Sequence, residues 1–342
     1  MKALLLNEPG KLTLAEVPLP ECPPDAVLVR VATCGICCSD VHGYDGSSGR
    51  RIPPLVMGHE AAGTIVAIGA AVSGFAVGDR VTFDSTISCG RCPYCQRGEV
   101  NLCDHRQVLG VSCGDYRRHG AFAEFVAVPA RILYRLPDEL PFEHAALIEA
   151  VSIAVHAVRR SQAQQGETAL VVGAGMIGLL VIQVLRHVGC ERIFAVDLDE
   201  TRLALAREAG ADRLILSTPE AKEQILSQTN GQGVDRAFEV VGFTPTVELA
   251  IAAVRKGGAV TLVGNLALQV ALPLQTVVTR ELTLYGTCAS SGEYPECIEL
   301  LTRGAVKVAP LISAQVPLEE GPAWFTRLHN REPGLMKVLL TP

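Results

Sequence analysis

No run of lysine or arginine in this sequence resembles a patch that would bind a nucleic-acid backbone, and acidic residues outnumber basic ones by 36 to 30, for a formal charge of −6. Binding nucleic acid through its phosphates requires a basic stripe, so the balance predicts no nucleic-acid partner. Long apolar runs are missing too. Each is broken by charges or glycines before reaching the roughly 20 residues that span a bilayer, which predicts no membrane partner. The opening Met1-Lys2-Ala3-Leu4-Leu5-Leu6-Asn7 meets Glu8-Pro9-Gly10 at once, too early for a secretion signal. Internal repeats and low-complexity tracts are absent, which leaves ordinary globular domains.

What is present fills two such domains: 342 residues, 49% of them hydrophobic. The 12 cysteines would mean disulfides in a small secreted scaffold. In a chain of this size with no export signal they predict reduced thiols and a cytoplasmic location. Four of them, Cys89, Cys92, Cys95 and Cys103, have the spacing Cys-x2-Cys-x2-Cys-x7-Cys within 15 residues. A turning chain can wrap four such soft ligands around one ion, and the set favours zinc. All four positions are taken by protein, so this zinc is expected to be structural, with the chemistry elsewhere.

The first 150 residues read as short strands and turns, for example Ala26–Val31, Glu60–Ile68 and the turn Gly78-Asp79 feeding Arg80–Phe83. After about residue 150 strands alternate with helices. A helix is expected over Ala145–Ser161, then strand Thr168–Val172, helix Leu179–Val188, strand Arg192–Asp197 and helix Thr201–Ala209. Further strands are expected at Val234–Val241, Ala259–Val263 and Leu282–Tyr285, and a terminal one at Met336–Leu340. Such alternation predicts a parallel sheet covered on both faces.

Between the first strand and helix of this second region lies Gly173-Ala174-Gly175-Met176-Ile177-Gly178, and Asp197 ends the next strand 24 residues after Gly173. Gly173 permits the tight turn, Gly175 lets backbone approach a pyrophosphate, and Gly178 allows close helix packing. Met176 and Ile177 open the helix whose free amides face the phosphates. Asp197 can accept both ribose hydroxyls and would repel a 2′-phosphate, so NAD is expected over NADP. Arg202 lies near enough to belong to this cofactor site, although a helix-surface arginine is the plainer reading.

Two other segments are dense in metal-capable groups: Cys34-Gly35-Ile36-Cys37-Cys38-Ser39-Asp40-Val41-His42 and Met57-Gly58-His59-Glu60; Glu149 is a third candidate. With these motifs in this order, the chain resembles the zinc-dependent medium-chain dehydrogenases over essentially its whole length, particularly their sorbitol dehydrogenase-like polyol branch. The resemblance implies a GroES-like, mostly-β catalytic domain over 1–150 with a structural-zinc lobe at 84–106. It also implies an α/β Rossmann domain over 151–288 and a return to the catalytic domain over 289–342. It assigns a catalytic zinc to Cys37 and His59, with Glu60 and Glu149 as ligands directly or through water, and so two zincs per chain. Cys34, although it forms a Cys-x2-Cys pair with Cys37, falls outside that register. Ser39 is implied as the hydroxyl that receives the alcohol proton, His42 as the relay toward solvent, and Tyr44 as an aromatic near the polyol.

The implied reaction is reversible oxidation of a secondary hydroxyl of a polyol, sugar alcohol or sugar acid with NAD, by a homotetramer or homodimer. L-threonine 3-dehydrogenase and general alcohol dehydrogenase activities are the alternatives within the family, and a silent NAD-binding sensor is the alternative outside enzymes. Departures bear on the substrate. Cys38 stands where glycine is usual, Ala150 replaces a common proline after Glu149, and Gly286–Ser291 lacks the arginine that sorbitol dehydrogenases carry near their substrate.

Overall fold

Valine is the commonest residue of Ala26–Gly35, and its branched side chain suits a strand packed on both faces. Only Arg30 among the ten is exposed. In the computed structural model, which describes residues 1–342, this strand is the hub of a seven-stranded sheet. One edge pairs antiparallel with Glu60–Ile68; the other is shared by Phe125–Pro129 and Lys337–Thr341. The register sets Gly35 opposite Glu60 on one side and Leu339 on the other. Three segments distant in sequence therefore meet at one point. A Cβ on residue 35 would lie 2.4 Å from Glu60 Oε2 and 3.4 Å from Lys337 Cδ, so a side chain there would displace the Glu60 carboxylate.

This sheet belongs to a unit made of Met1–Glu149, Tyr294–Gly304 and Val308–Pro342. Its core is filled by fully buried Leu4, Leu6, Met57, Phe83, Phe122 and Phe325. The rings of Phe122 and Phe325 meet edge-on, their centroids 5.7 Å apart. The opening residues form a hairpin, Lys2–Glu8 with Lys11–Glu16, that the strand reading passed over. The helix expected over 145–161 is two pieces, Phe142–Ala145 and Ile148–Ser161.

The second unit comprises Ala150–Glu293 and Ala305–Lys307. Its six strands are all parallel, in the spatial order Arg213–Leu216, Arg192–Asp197, Thr168–Val172, Val234–Glu239, Val254–Leu262, Thr283–Gly286. This is the doubly wound order, reversing between Thr168–Val172 and Val234–Glu239, where ligands bind beyond the strand ends. Leu170, Val171, Phe194, Val196 and Phe238 are buried because sheets of this kind carry helices on both faces. Val254–Leu262 starts five residues before the strand expected there, through Arg255-Lys256-Gly257-Gly258, a composition that reads as a turn. The short strand Arg213–Leu216 and helices Ala221–Ser227 and Thr244–Ala253 lacked any sequence assignment. No helix is long and apolar enough to cross a membrane.

Candidate active site

Just past Gly35 the chain turns into a short helix, Cys38–Tyr44, whose N-cap is Cys37. The Cys37 sulfur accepts from the Ser39 amide at 3.5 Å, and Asp40 reaches back to the Cys37 amide at 3.4 Å. This reciprocal box fixes the Cys37 side chain at the helix start. Glu60 is reached through the strand register, and His59 precedes it. The ligand atoms of Cys37, His59 and Glu60 all lie within 4.8 Å of one another. Glu149, in the first turn of Ile148–Ser161, stands outside that group. It is near enough for its charge to be felt: burial, with the Glu60 carboxylate, pushes Glu149 up to about 7 against the pull of His59.

Two cations missed by the sequence reading balance this anionic cluster. Lys337 is buried and donates to Glu60 Oε2 at 2.5 Å and to the Ile36 carbonyl at 3.2 Å. Burial works against the Lys337 charge, but Glu60 and Cys37 hold its pKa above the ordinary lysine range. Arg51, also buried, places Nε and Nη2 on Asp40 Oδ1 at 3.2 and 2.9 Å. Although Asp40 is wholly buried, the charges of His59 and Arg51 hold its carboxyl well below the usual range. A lysine opening an apolar terminal strand was the only signal for Lys337, and nothing local marked Arg51.

His59 Nδ1 stands 3.4 Å from Asp40 Oδ2, an electrostatic contact, and that buried nitrogen has no hydrogen-bond partner. Thiol, imidazole and carboxylate, with an orphaned nitrogen among them, fit a zinc ion and leave it a position for an exchangeable oxygen. Ser39 and His42 are both exposed on the adjoining helix. Ser39 Oγ accepts from Arg51 Nη2 at 3.3 Å. Tyr44 is directed differently. Its hydroxyl donates to the Gly10 carbonyl, and its ring lies 5.7 Å from that of Phe325 and 5.9 Å from that of His329.

The four-cysteine lobe is built locally. Cys89, Cys92, Cys95 and Cys103 bring their sulfurs within 4.8 Å of one another. Backbone amides already point at them: Cys89 N to Cys103 Sγ at 3.2 Å, Cys92 N to Cys89 Sγ at 3.4 Å and His105 N to Cys103 Sγ at 3.4 Å. Amide donation, chiefly from Cys95, pulls the Cys92 thiol down to about 6, whereas burial pushes Cys103 up to about 11. Four converging sulfurs with N–H donors fit a closed tetrahedral zinc.

In the second unit the turn after Thr168–Val172 has the expected glycine logic. Gly173 has φ +102°, and a Cβ there would meet Val241 Cγ2 at 2.6 Å. A Cβ on Gly178 would come within 1.8 Å of the Gly173 carbonyl oxygen, so the helix Met176–Val188 packs onto the turn only through glycine. Gly175, the N-cap, faces open space and supplies no side-chain cap, leaving the first amides to an incoming anion. Met176 is buried and Ile177 half-buried behind it. Asp197 accepts from Ala174 N at 2.7 Å and from Asp199 N at 3.0 Å, one bond per carboxylate oxygen, so each oxygen keeps a free lone pair. Arg202 is exposed, and its ion-pair contact is to Asp199, at 4.0 Å. Glu239, unnoticed in the sequence, is buried at the end of its strand and accepts from Val241 N and Gly242 N at 2.9 and 2.8 Å, shaping the loop against Gly173.

Comparison with known proteins adds independent findings. The family model described as alcohol dehydrogenase GroES-like domain matches residues 23–138, and that described as zinc-binding dehydrogenase matches 177–303. The sorbitol dehydrogenase of Bacillus subtilis is 34% identical, over 100% of this chain and 97% of that protein. The L-threonine 3-dehydrogenase of Symbiobacterium thermophilum is 35% identical, over 100% and 98%. An Escherichia coli CFT073 alcohol dehydrogenase solved with NADH superposes with a TM-score of 0.92 at 29% identity, covering 100% of this chain and 99% of that one.

Proposed function

The chain belongs to the zinc-dependent medium-chain dehydrogenases, in their sorbitol dehydrogenase-like branch, and we propose that it reversibly oxidises a secondary hydroxyl of a polyol, sugar alcohol or sugar acid to a ketone with NAD. The observation that carries this reading is the meeting of Cys37, His59 and Glu60 beside an exposed Ser39. Cys37 and His59 would hold the catalytic zinc, with Glu60 and Glu149 as further ligands directly or through water. Cys89, Cys92, Cys95 and Cys103 would hold the structural one. When bound, zinc supplies Lewis acidity toward the alcohol oxygen and NAD supplies the hydride acceptor.

The chain's own groups handle the proton and the orientation. Ser39 receives the hydroxyl proton and His42 passes it toward solvent, a relay that an isolated serine would perform poorly. Tyr44 contributes through its ring, since its hydroxyl is committed to Gly10. Gly173, Gly175, Met176, Ile177 and Gly178 receive the pyrophosphate, and Asp197 the adenosine ribose, which favours NAD. Arg202, paired toward Asp199, is assigned to the edge of that ribose site.

Self-association as a homodimer or homotetramer is part of the proposal. Thr283–Gly286 ends the six-stranded sheet, and Leu268, Leu274 and Val278 are exposed apolar residues of the same unit. Light scattering at micromolar concentration decides it, and a monomer at all concentrations rules it out. A cytoplasmic location is likewise proposed, because a chain of 342 residues with full cores does not need its 12 cysteines as disulfides.

Sequence similarity does not choose between the polyol and threonine readings, the two relatives being 34% and 35% identical. Absence of an arginine in Gly286–Ser291 weakens sorbitol itself while leaving a polyol or sugar-acid chain. NADH formation screened over polyols, aldonates, threonine and simple alcohols tests the proposal. Threonine as the best substrate by kcat/KM would replace it, and no turnover with any alcohol despite NAD binding would favour a sensor.

A further inference from the structure

We infer that Arg51 is a positioning residue for proton transfer: it fixes the direction in which the Ser39 hydroxyl accepts and releases a proton. The inference rests on the reading of Ser39 as the first proton acceptor. Arg51 is buried with a charge it cannot lose, so its partners define its role. Nε and Nη2 hold Asp40 Oδ1, Nη1 donates to the Arg50 carbonyl at 3.1 Å, and Nη2 also donates to Ser39 Oγ at 3.3 Å. A single guanidinium thus touches both the carboxylate facing His59 and the hydroxyl beside Cys37.

A serine hydroxyl has one O–H donor and two acceptor lone pairs. Guanidinium only donates. Arg51 therefore occupies one acceptor position of Ser39 in every state and turns the O–H away from itself. One lone pair remains to take the alcohol proton, and one O–H remains to release a proton onward. When the substrate proton arrives, the serine's own proton departs, so Ser39 ends as a neutral hydroxyl. Over the whole reaction the alcohol loses one proton by this route and one hydride to the oxidised nicotinamide, giving ketone, NADH and a released proton.

The surroundings of Arg51 are shaped to hold it. Residue 43 of the helix Cys38–Tyr44 is glycine, and a Cβ there would stand 2.1 Å from Arg51 Cγ. The arginine stem crosses the helix only because that side chain is missing. Its backbone is tied on both sides to Ser112, by Ser112 N to Arg50 O and Ile52 N to Ser112 O, each 3.2 Å. Buried charge, a glycine groove and a fixed backbone all place the guanidinium at one point on Ser39.

The test uses the zinc-loaded, full-length enzyme with its best alcohol, comparing Arg51→Lys, Gly43→Ala, Ser39→Ala and the Arg51→Lys/Ser39→Ala pair. Lysine keeps a cation for Asp40 but cannot serve both partners. Alanine at 43 displaces the arginine stem without removing its charge. Either single change should lower kcat by about tenfold or more, part of the 10²–10⁴ typical of general acid–base groups, and raise the solvent deuterium isotope effect. KM for the alcohol, zinc content and NADH affinity should stay within about threefold, and the double variant should be hardly worse than Ser39→Ala alone. Wild-type kcat and isotope effect in both Arg51→Lys and Gly43→Ala, with Ser39→Ala impaired, would overturn the role of Arg51. A loss that follows zinc content or melting temperature would overturn it as well, making Arg51 a structural residue. Wild-type turnover in Ser39→Ala would instead remove the reading on which the inference stands.

Discussion

The two zinc candidates in the first unit are built in opposite ways. The four-cysteine lobe draws every ligand from 15 consecutive residues, uses one donor type, and steadies its sulfurs with neighbouring backbone amides. The Cys37–His59–Glu60 group draws on distant segments joined by strand register, mixes three donor types, and is surrounded by buried charges, Asp40 and Arg51 on one side and Lys337 on another. A closed set of soft ligands needs only a turning chain. A set that leaves one position open has its remaining ligands held by the fold, and its charge is balanced by residues that are not ligands.

The largest expected effect comes from breaking the open set. Cys37→Ser should lower turnover by more than about a thousandfold, the several kcal/mol of charge stabilisation that a metal supplies, and should release one zinc of two. Two retained zincs with full activity would refute the ligand assignment. Cys92→Ser tests the other half. It should release the lobe zinc and lower unfolding stability on the order of 5 kcal/mol, a fraction of the ~10 kcal/mol or more that structural zinc supplies to a small domain. Its kcat, per chain still carrying the other zinc, should change by less than about threefold, as expected for a closed site without an exchangeable ligand. A chelator titration sharpens the contrast: activity should vanish with the first zinc removed, and cooperative unfolding should shift with the second. Loss in the reverse order would mean that the roles of the two sites are exchanged.

The same contrast explains what could be read from the sequence. The lobe was legible because its spacing is local, and the nucleotide turn because Gly173, Gly175 and Gly178 each answer a local steric demand. Strands Glu60–Ile68, Thr168–Val172 and Arg192–Asp197 were legible to the residue, their apolar runs being bounded by polar or glycine punctuation. Motif order placed Cys37, His59 and Glu60 together, and their side chains do stand together. Their counter-ions were not legible. Lys337 lies 277 residues from Glu60, and Arg51 meets Asp40 across 11 residues with no periodic relation. Such pairs exist only once strand register is known. Tyr44 shows the opposite limit, since a residue type can fit a site while its hydroxyl finds an unrelated carbonyl.

Lys337 gives the next test, because only the open site requires a buried counter-ion. Lys337→Met removes the charge but keeps the length of the stem that packs against Gly35. Glu60 would be left as an uncompensated buried carboxylate, and urea unfolding should show a loss of about 3–5 kcal/mol in the zinc-free protein. With zinc bound the deficit should shrink, since a divalent cation compensates the same carboxylate. An equal deficit in both forms would mean that Lys337 packs the strand and does not balance the metal site.

The smallest expected effect sets the cofactor turn against both metal sites, since Asp197 holds the turn and is also proposed to bind the ribose. Its Oδ2 accepts from Ala174 N within the glycine turn, while its free lone pairs and charge are the part proposed to take the ribose. Asp197→Ser removes both functions and should shift the NAD/NADP ratio of kcat/KM about ten- to a hundredfold toward NADP, the range of a charged hydrogen bond at 1.5–3 kcal/mol. Asp197→Asn keeps an acceptor for Ala174 but loses the charge that repels a 2′-phosphate. If charge carries the discrimination, asparagine should relax it nearly as much as serine while preserving melting temperature better. If hydrogen bonding carries it, asparagine should stay close to wild type in both. Unchanged discrimination in both variants would remove Asp197 from the cofactor site and leave it as the strut of the turn, as local in purpose as the cysteine lobe.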